Sequence, residues 1–239
     1  MSNSYFQFKQ FTVYQDKCAM KVCTDACVFG AFASNIVRRT SNIVHILDIG
    51  TGTGLLSLLL AQDTTAFIDA IEIDRNAYEQ AKDNFDRSPW KERLAAFNID
   101  ALKFIADKKY DCIISNPPFF EDDLRSINEE KNKAKHDSSL TLQQLLQVVD
   151  SNLSDDGTFF VLLPHHRVHY FETEAKKIGL YPDEKLWIKQ TEKHDYFRAC
   201  LSFSRKETKS HIVDLTIKNN DGNYTDKFIE LLKRYYLHF

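Results

Sequence analysis

The chain has 239 residues, a net charge of −3 and 43% hydrophobic residues, among them 18 Phe and 10 Tyr. This fills a sizeable core, and 7 Gly and 5 Pro argue against a disordered chain. The slight acidity does not advertise nucleic-acid binding, although a local basic patch suffices for it.

In chain order, Tyr5–Phe11 alternates and reads as a short strand, and Ala26–Arg38 as a helix capped by Thr24 or Asp25. Strands and helices then alternate. Ile43–Ile49 is a buried strand, Leu55–Gln62 a helix, Ala66–Ile73 a strand and Arg75–Arg87 a helix. Leu94–Asn98 is a third strand, with a short helix near Leu102–Ala106, and Tyr110–Ser115 is a fourth. A charged segment, 121–137, leads to a helix near Leu140–Leu153, a strand at Thr158–Leu163 and a helix at Val168–Ile178. Leu186–Gln190 and Ala199–Ser204 form a closing pair of strands. A tail follows, with a strand at Ile212–Ile217, a turn at Asn220–Asn223 and a helix at Thr225–Leu237. The pattern predicts an α/β fold, a mostly parallel sheet with helices on both faces. A leader (1–40) and a strand–helix tail (210–239) flank the main unit (41–209) within one structural domain.

Two motifs fall at strand ends, where ligands bind in such sheets. The first is Asp48-Ile49-Gly50-Thr51-Gly52-Thr53-Gly54. Its glycines allow close approach of a ligand to the backbone. The GxGxG spacing differs from the dinucleotide GxGxxG, and a carboxylate on its strand suits a cationic ligand better than a pyrophosphate. S-adenosylmethionine carries a sulfonium and an ammonium and no phosphate. Glu72 ends the next strand, placed to accept from ribose hydroxyls, with Asp74 as a substitute or a helix cap. Asp100 ends the third, placed for an adenine amino group. Thr51, Ile73 and Ala101 belong to the same expected shell, and Lys21 and Thr24 of the leader are expected to close over it. As ordinary structure, Glu72 and Asp100 are helix caps or solvated acids, and Thr24 is a helix start.

The second motif is Asn116-Pro117-Pro118-Phe119, after the strand Cys112-Ile113-Ile114-Ser115. Prolines fix φ and remove donors, leaving carbonyls to face a ligand. The asparagine amide offers an acceptor to an NH2 group, and Phe119 offers a face for a planar base. The plain reading is a proline turn, which the upstream glycine loop disfavours. Asn116 also borders the cofactor. Basic patches at Arg125, Lys135 and His136, and at Arg167 among His165, His166 and His169, are expected to meet RNA; each alone is more often a solvated face.

Five cysteines (Cys18, Cys23, Cys27, Cys112, Cys200) contain no CxxC pair, which argues against zinc and against a disulfide framework. No metal is expected. The opening residues do not read as a signal peptide and no apolar run is long enough to span a membrane, so the chain is expected to be cytoplasmic, with no membrane partner.

Asp48–Gly54, Glu72, Asp100 and Asn116–Phe119 together resemble the Rossmann-like methyltransferases that act on planar amino groups. The leader Phe8–Val13 and Gln15–Asp25, Lys135-His136, and the ending from Gly222-Asn223-Tyr224-Thr225 to Tyr236-Leu237 are similar to the bacterial valine-tRNA adenine-N6 methyltransferases. The resemblance implies methyl transfer from S-adenosylmethionine to N6 of the adenine 3′ of the anticodon (position 37) in a valine tRNA. A monomer or weak dimer is expected, with the apolar, aromatic tail packed on the domain or on another copy. Three residues depart from the pattern: Phe119 stands where tyrosine is common, Cys23 where glycine is expected, and Lys135 where arginine is expected. Only the last bears on tRNA contacts. Alternatives are glutamine-N5 methylation of a protein and guanine-N2 methylation of ribosomal RNA on the same fold. A nicotinamide-dependent oxidoreductase and a non-catalytic RNA-binding module are rivals from other classes.

Overall fold

The computed structural model describes residues 3–18, 20–118 and 140–239. A hairpin of β1 (Tyr5–Gln7) and β2 (Thr12–Tyr14) opens the chain, followed by α1 (Thr24–Arg39). Then come β3 (His45–Ile49), α2 (Leu55–Asp63), β4 (Phe67–Glu72), α3 (Arg75–Asp86), β5 (Leu94–Asn98) and β6 (Tyr110–Ser115). The described chain continues with α4 (Leu142–Asn152), β7 (Leu153–Pro164), α5 (Val168–Lys177), β8 (Tyr181–Lys189), β9 (Tyr196–Ser204), β10 (His211–Thr216) and α6 (Asp226–Leu232).

Eight strands form one sheet in the order β10-β8-β9-β7-β6-β3-β4-β5. β9 runs antiparallel to both its neighbours, β7 and β8, and the other pairings are parallel. This is the mostly parallel sheet with an antiparallel closing strand that the alternation predicts. Strand order reverses at β3, between β4 and β6, so a crevice forms at the carboxyl ends there.

Alternate residues of the central strands feed two cores, as the period of two requires. Ile46, Cys112 and Ile114 pack with α1, α2, Phe85 of α3 and Phe228 of α6 on one face. Leu47, Ile49 and Ile113 pack with Leu145 and Val149 of α4 and Phe171 of α5 on the other. α2 is buried from Leu55 to Ala61, matching its run of leucines. It crosses α1 at Gly30, where a Cβ would lie 2.3 Å from Leu59 Cδ1; a glycine there admits the close approach that alanine forbids.

Four local expectations are corrected. The leader strand breaks into a hairpin, because Phe8 N–H donates to Phe11 O and turns the chain. Neither Thr24 nor Asp25 caps α1: Cys23 holds that position without a side-chain bond, and Asp25 is drawn away to Arg198 at 3.0 Å. The short helix after β5 is a single 3-10 turn, Ala101–Lys103. The last helix ends at Leu232, not Leu237, since Tyr235 and Tyr236 turn into the core and Lys9 N–H binds Tyr235 O. Leader and tail thus meet each other as well as the sheet, with the Phe8 and Tyr236 rings 6.0 Å apart.

Candidate active site

Register brings the motif residues into one row. Ile49 pairs with Ile71 on one side and with Ser115 on the other. The next residues, Gly50, Glu72 and Asn116, therefore lie side by side beyond the three strand ends. Ser115 Oγ fastens the row by donating to Ile49 O at 2.9 Å. Glu72 pairs with Asn98, so Asp100 emerges just past the neighbouring end.

The glycine loop is held by backbone geometry. Gly50, Gly52 and Gly54 have φ of 73°, 58° and 81°, the left-handed region that strains other residues. A Cβ on Gly50 or Gly52 would meet no atom within 4 Å, so both glycines border open space. Gly54 instead abuts Phe85, whose Cε1 would lie 2.5 Å from an added Cβ.

Asp48 is fully buried beneath this loop. Its Oδ2 accepts from Thr51 Oγ1 and Ser57 Oγ, both at 2.7 Å. Its Oδ1 has no hydrogen-bond partner among the described residues. Burial pushes its carboxyl up to about 6, against the opposing effect of the two hydroxyls. Glu72 accepts from Gly52 N–H at 2.9 Å and Asp74 N–H at 3.0 Å. Asp74 caps α3 through Ala77 N–H. Asp100 caps the 3-10 turn through Leu102 N–H at 2.9 Å. One oxygen of Asp100 is thereby engaged, and its second remains on the carboxylate.

Ile73 and Leu102 follow these acids and are exposed large hydrophobics, at 57% and 49%. Leu102 is not among the residues expected from the sequence; it lies among Ala101, Phe104, Ile105 and Ala106, so no apolar signal sets it apart. Asn98 ties the two loops together by donating to Glu72 O and Ile73 O. Ala101 is half-buried beneath them.

In the second motif, Asn116 is half-buried, Pro117 buried and Pro118 exposed. Phe119, Arg125, Lys135 and His136 lie outside the described residues. Arg167 stands in the 3-10 turn after β7, beyond the strand that neighbours β6. Before it, His165 packs on Trp187 and Tyr196, and burial lowers its pKa. In the leader, Lys21 Nζ donates to Gln15 O, and Thr24 is exposed in the first turn of α1. Cys18 is buried near this rim: burial pushes its thiol up to about 11, with the charges of Glu72 and Asp74 adding to the effect.

A cleft of about 900 Å³ opens elsewhere, between α1, β8, β10 and α6. None of the row residues lines it. Its charges are of both signs, with Arg38 and Lys227 beside Asp214 and Glu230. Among the described residues, no helix is long and apolar enough to cross a membrane.

A parallel sheet with one reversed strand, a GxGxG loop at the reversal of strand order and acids at the next two strand ends define a Rossmann-like methyltransferase. Comparison with known proteins agrees. Residues 21–173 match the methyltransferase small domain family. A tRNA1(Val) (adenine(37)-N6)-methyltransferase of Dyadobacter fermentans is 43% identical, over 99% of both chains. Its counterpart in Cytophaga hutchinsonii is also 43% identical over 99% of both. The fold is similar to a crystal structure from Agrobacterium tumefaciens described as a predicted O-methyltransferase. That likeness has a TM-score of 0.63 and 14% identity, covering 88% of this chain and 96% of the other. The chain belongs to the family of the tRNA1(Val) (adenine(37)-N6)-methyltransferases.

Proposed function

We propose that the protein methylates N6 of the adenine 3′ of the anticodon, position 37, in a valine tRNA, using S-adenosylmethionine. The observation that carries this reading is the row of Gly50, Glu72 and Asn116 at the reversal of strand order. It sets a cofactor cradle beside an amide that can hold an amino group.

The residues fit S-adenosylmethionine. Asp48 Oδ1 is a buried acceptor lacking a partner among the described residues, suited to a cationic amino-acid group. The open sides of Gly50 and Gly52 leave room for a ligand against the backbone. Glu72 would take the ribose hydroxyls, Ile73 and Leu102 the faces of the adenine, and Asp100 its amino edge, with Thr51, Ala101 and the leader's Lys21 and Thr24 completing the enclosure. When bound, the cofactor supplies an electrophilic methyl group on a sulfonium.

Asn116 and Pro117 do the rest by positioning. The Asn116 side-chain oxygen and the Pro117 carbonyl accept the two hydrogens of the target amine, which turns its lone pair toward the methyl group. Phe119 stacks on the base once it has left the anticodon loop, where unpairing costs least. The amine proton departs after the new C–N bond forms, so no strong base is required. Arg167, with Arg125, Lys135 and His136, supplies phosphate contacts, and binding therefore weakens with salt. The protein acts in the cytoplasm, where its substrate is.

The test is tritium transfer from S-adenosylmethionine to three acceptors offered separately: total tRNA from a strain lacking its own enzyme, ribosomal RNA and a peptide-release factor. N6-methyladenosine in valine tRNA is the expected product. Label in ribosomal RNA or protein would keep the chemistry and replace the substrate.

A further inference from the structure

We infer that Asn84, remote from the transferred methyl, is the positioning residue that sets both walls of the cofactor cleft. It sits in the last turn of α3, 1% exposed. Its amide is fully used. Oδ1 accepts from Tyr14 N–H at 2.9 Å, and Nδ2 donates to Tyr14 O and to Thr53 O, each at 2.8 Å. One side chain thus grips the leader and the glycine loop together.

Both grips lead to the site. Thr53 lies between Gly52 and Gly54, both in the left-handed region, and its carbonyl belongs to the peptide plane from which the φ of Gly54 turns. The adjacent Phe85 presses on Gly54 from the same helix turn. Tyr14 leads into Gln15, which is 4% exposed and shapes the leader loop: Gln15 Oε1 accepts from Val22 N–H at 2.7 Å, and its carbonyl takes Lys21 Nζ. Gln80, one turn before Asn84, accepts from Lys17 N–H at 2.9 Å, and Lys17 pairs with Asp83 at 2.5 Å. Cys18, next in the chain, is the residue whose thiol feels Glu72. α3 is therefore a template against which two segments far apart in sequence take their shape, and a polar helix face is buried for that purpose. A donor-rich amide is needed: Asn84 offers its two N–H groups to carbonyls from two different segments.

The inference rests on the methyl-donor reading and is tested apart from it. S-adenosylhomocysteine binding is measured by calorimetry, amide exchange is followed at 14–22 and 50–54, and KM for each substrate is separated from kcat. In Asn84→Ala, S-adenosylhomocysteine Kd and cofactor KM rise about ten- to a hundredfold, while kcat at saturation stays within about threefold, because ordering rather than chemistry is lost. Exchange quickens in both segments. Gln80→Ala cuts only the leader link, so exchange quickens at 14–22 alone and Kd rises less. Asn84→Ser, which keeps one donor, gives an intermediate Kd and covers the case in which the alanine variant does not fold. In the wild-type protein, S-adenosylhomocysteine slows exchange at 14–22 as well as at 50–54. Binding within twofold of wild type in folded Asn84→Ala or Asn84→Ser, or no protection of the leader in the wild type, overturns the role of Asn84. No binding by the wild type would instead overturn the methyl-donor reading beneath it.

Discussion

The two halves of the rim are built differently. On the β3–β4–β5 side the features are a backbone loop and carboxylates: three left-handed glycines, a buried acid under them and two acids engaging N–H groups at strand ends. On the β6–β7 side they are side chains and carbonyls at one strand end, led by Asn116. On the proposed reading, a common cofactor is met by geometry that the fold repeats, whereas the acceptor base is met by a few projecting groups. Damage to the first half should therefore read out as binding and stability, and damage to the second as turnover.

The sharpest break of this comparison is Asn116→Ala. It should lower kcat by about a hundred- to a thousandfold, as for loss of a positioned transition-state contact, with S-adenosylhomocysteine affinity within about twofold. Calorimetry beside single-turnover rates checks it; a weakened cofactor with normal turnover would reverse the assignment of the halves. Next is Gly54→Ala. The strained φ and the clash with Phe85 together should cost about 2–4 kcal/mol of stability, seen as a lower denaturant midpoint at unchanged slope.

A smaller effect concerns pH. Asp48 holds its proton up to about 6 when folded, against an ordinary 3.8. The folded state thus binds this proton more tightly than the unfolded one. Its contribution to stability is complete below about 4 and is lost as pH rises through about 6. A cationic ligand favours the ionised form, so cofactor affinity should tighten by about tenfold per unit as pH rises toward that value. Asp48→Asn should flatten both slopes; unchanged slopes would take Asp48 out of the site. The smallest effect is Thr141→Ala. It removes the capping box with Gln144 on α4, costing about 1 kcal/mol while leaving kinetics untouched.

What the chain reveals before folding divides along the same line. Strands β5 and β6 fall at the predicted Leu94–Asn98 and Tyr110–Ser115, because each is a short apolar run between turn residues, mostly buried in β6 and half-exposed at the sheet edge in β5. The strand-end places of Glu72, Asp100 and Asn116 are legible because a strand end is a local feature. The early end of α6 is not, since it follows from contacts between the two ends of the chain; the leader hairpin turns on a local bond, Phe8 N–H to Phe11 O, within a run whose alternation reads as one strand. Asn84 was readable in part: Ala77, Gln80, Ala81, Asn84 and Phe85 share one helical stripe, all buried. Two amides on that stripe signal carbonyls to satisfy, but not which ones. Leu102 escaped because an exposed leucine is ordinary until its neighbour across the strand ends is known.

The most direct measurement of the central claim uses two valine-tRNA transcripts that differ only at the nucleotide 3′ of the anticodon, adenine or guanine, with purified protein and labelled S-adenosylmethionine. The account predicts one N6-methyladenosine per adenine transcript and no label on the guanine one. Equal labelling of both, or no label on either while the cofactor binds, would contradict it.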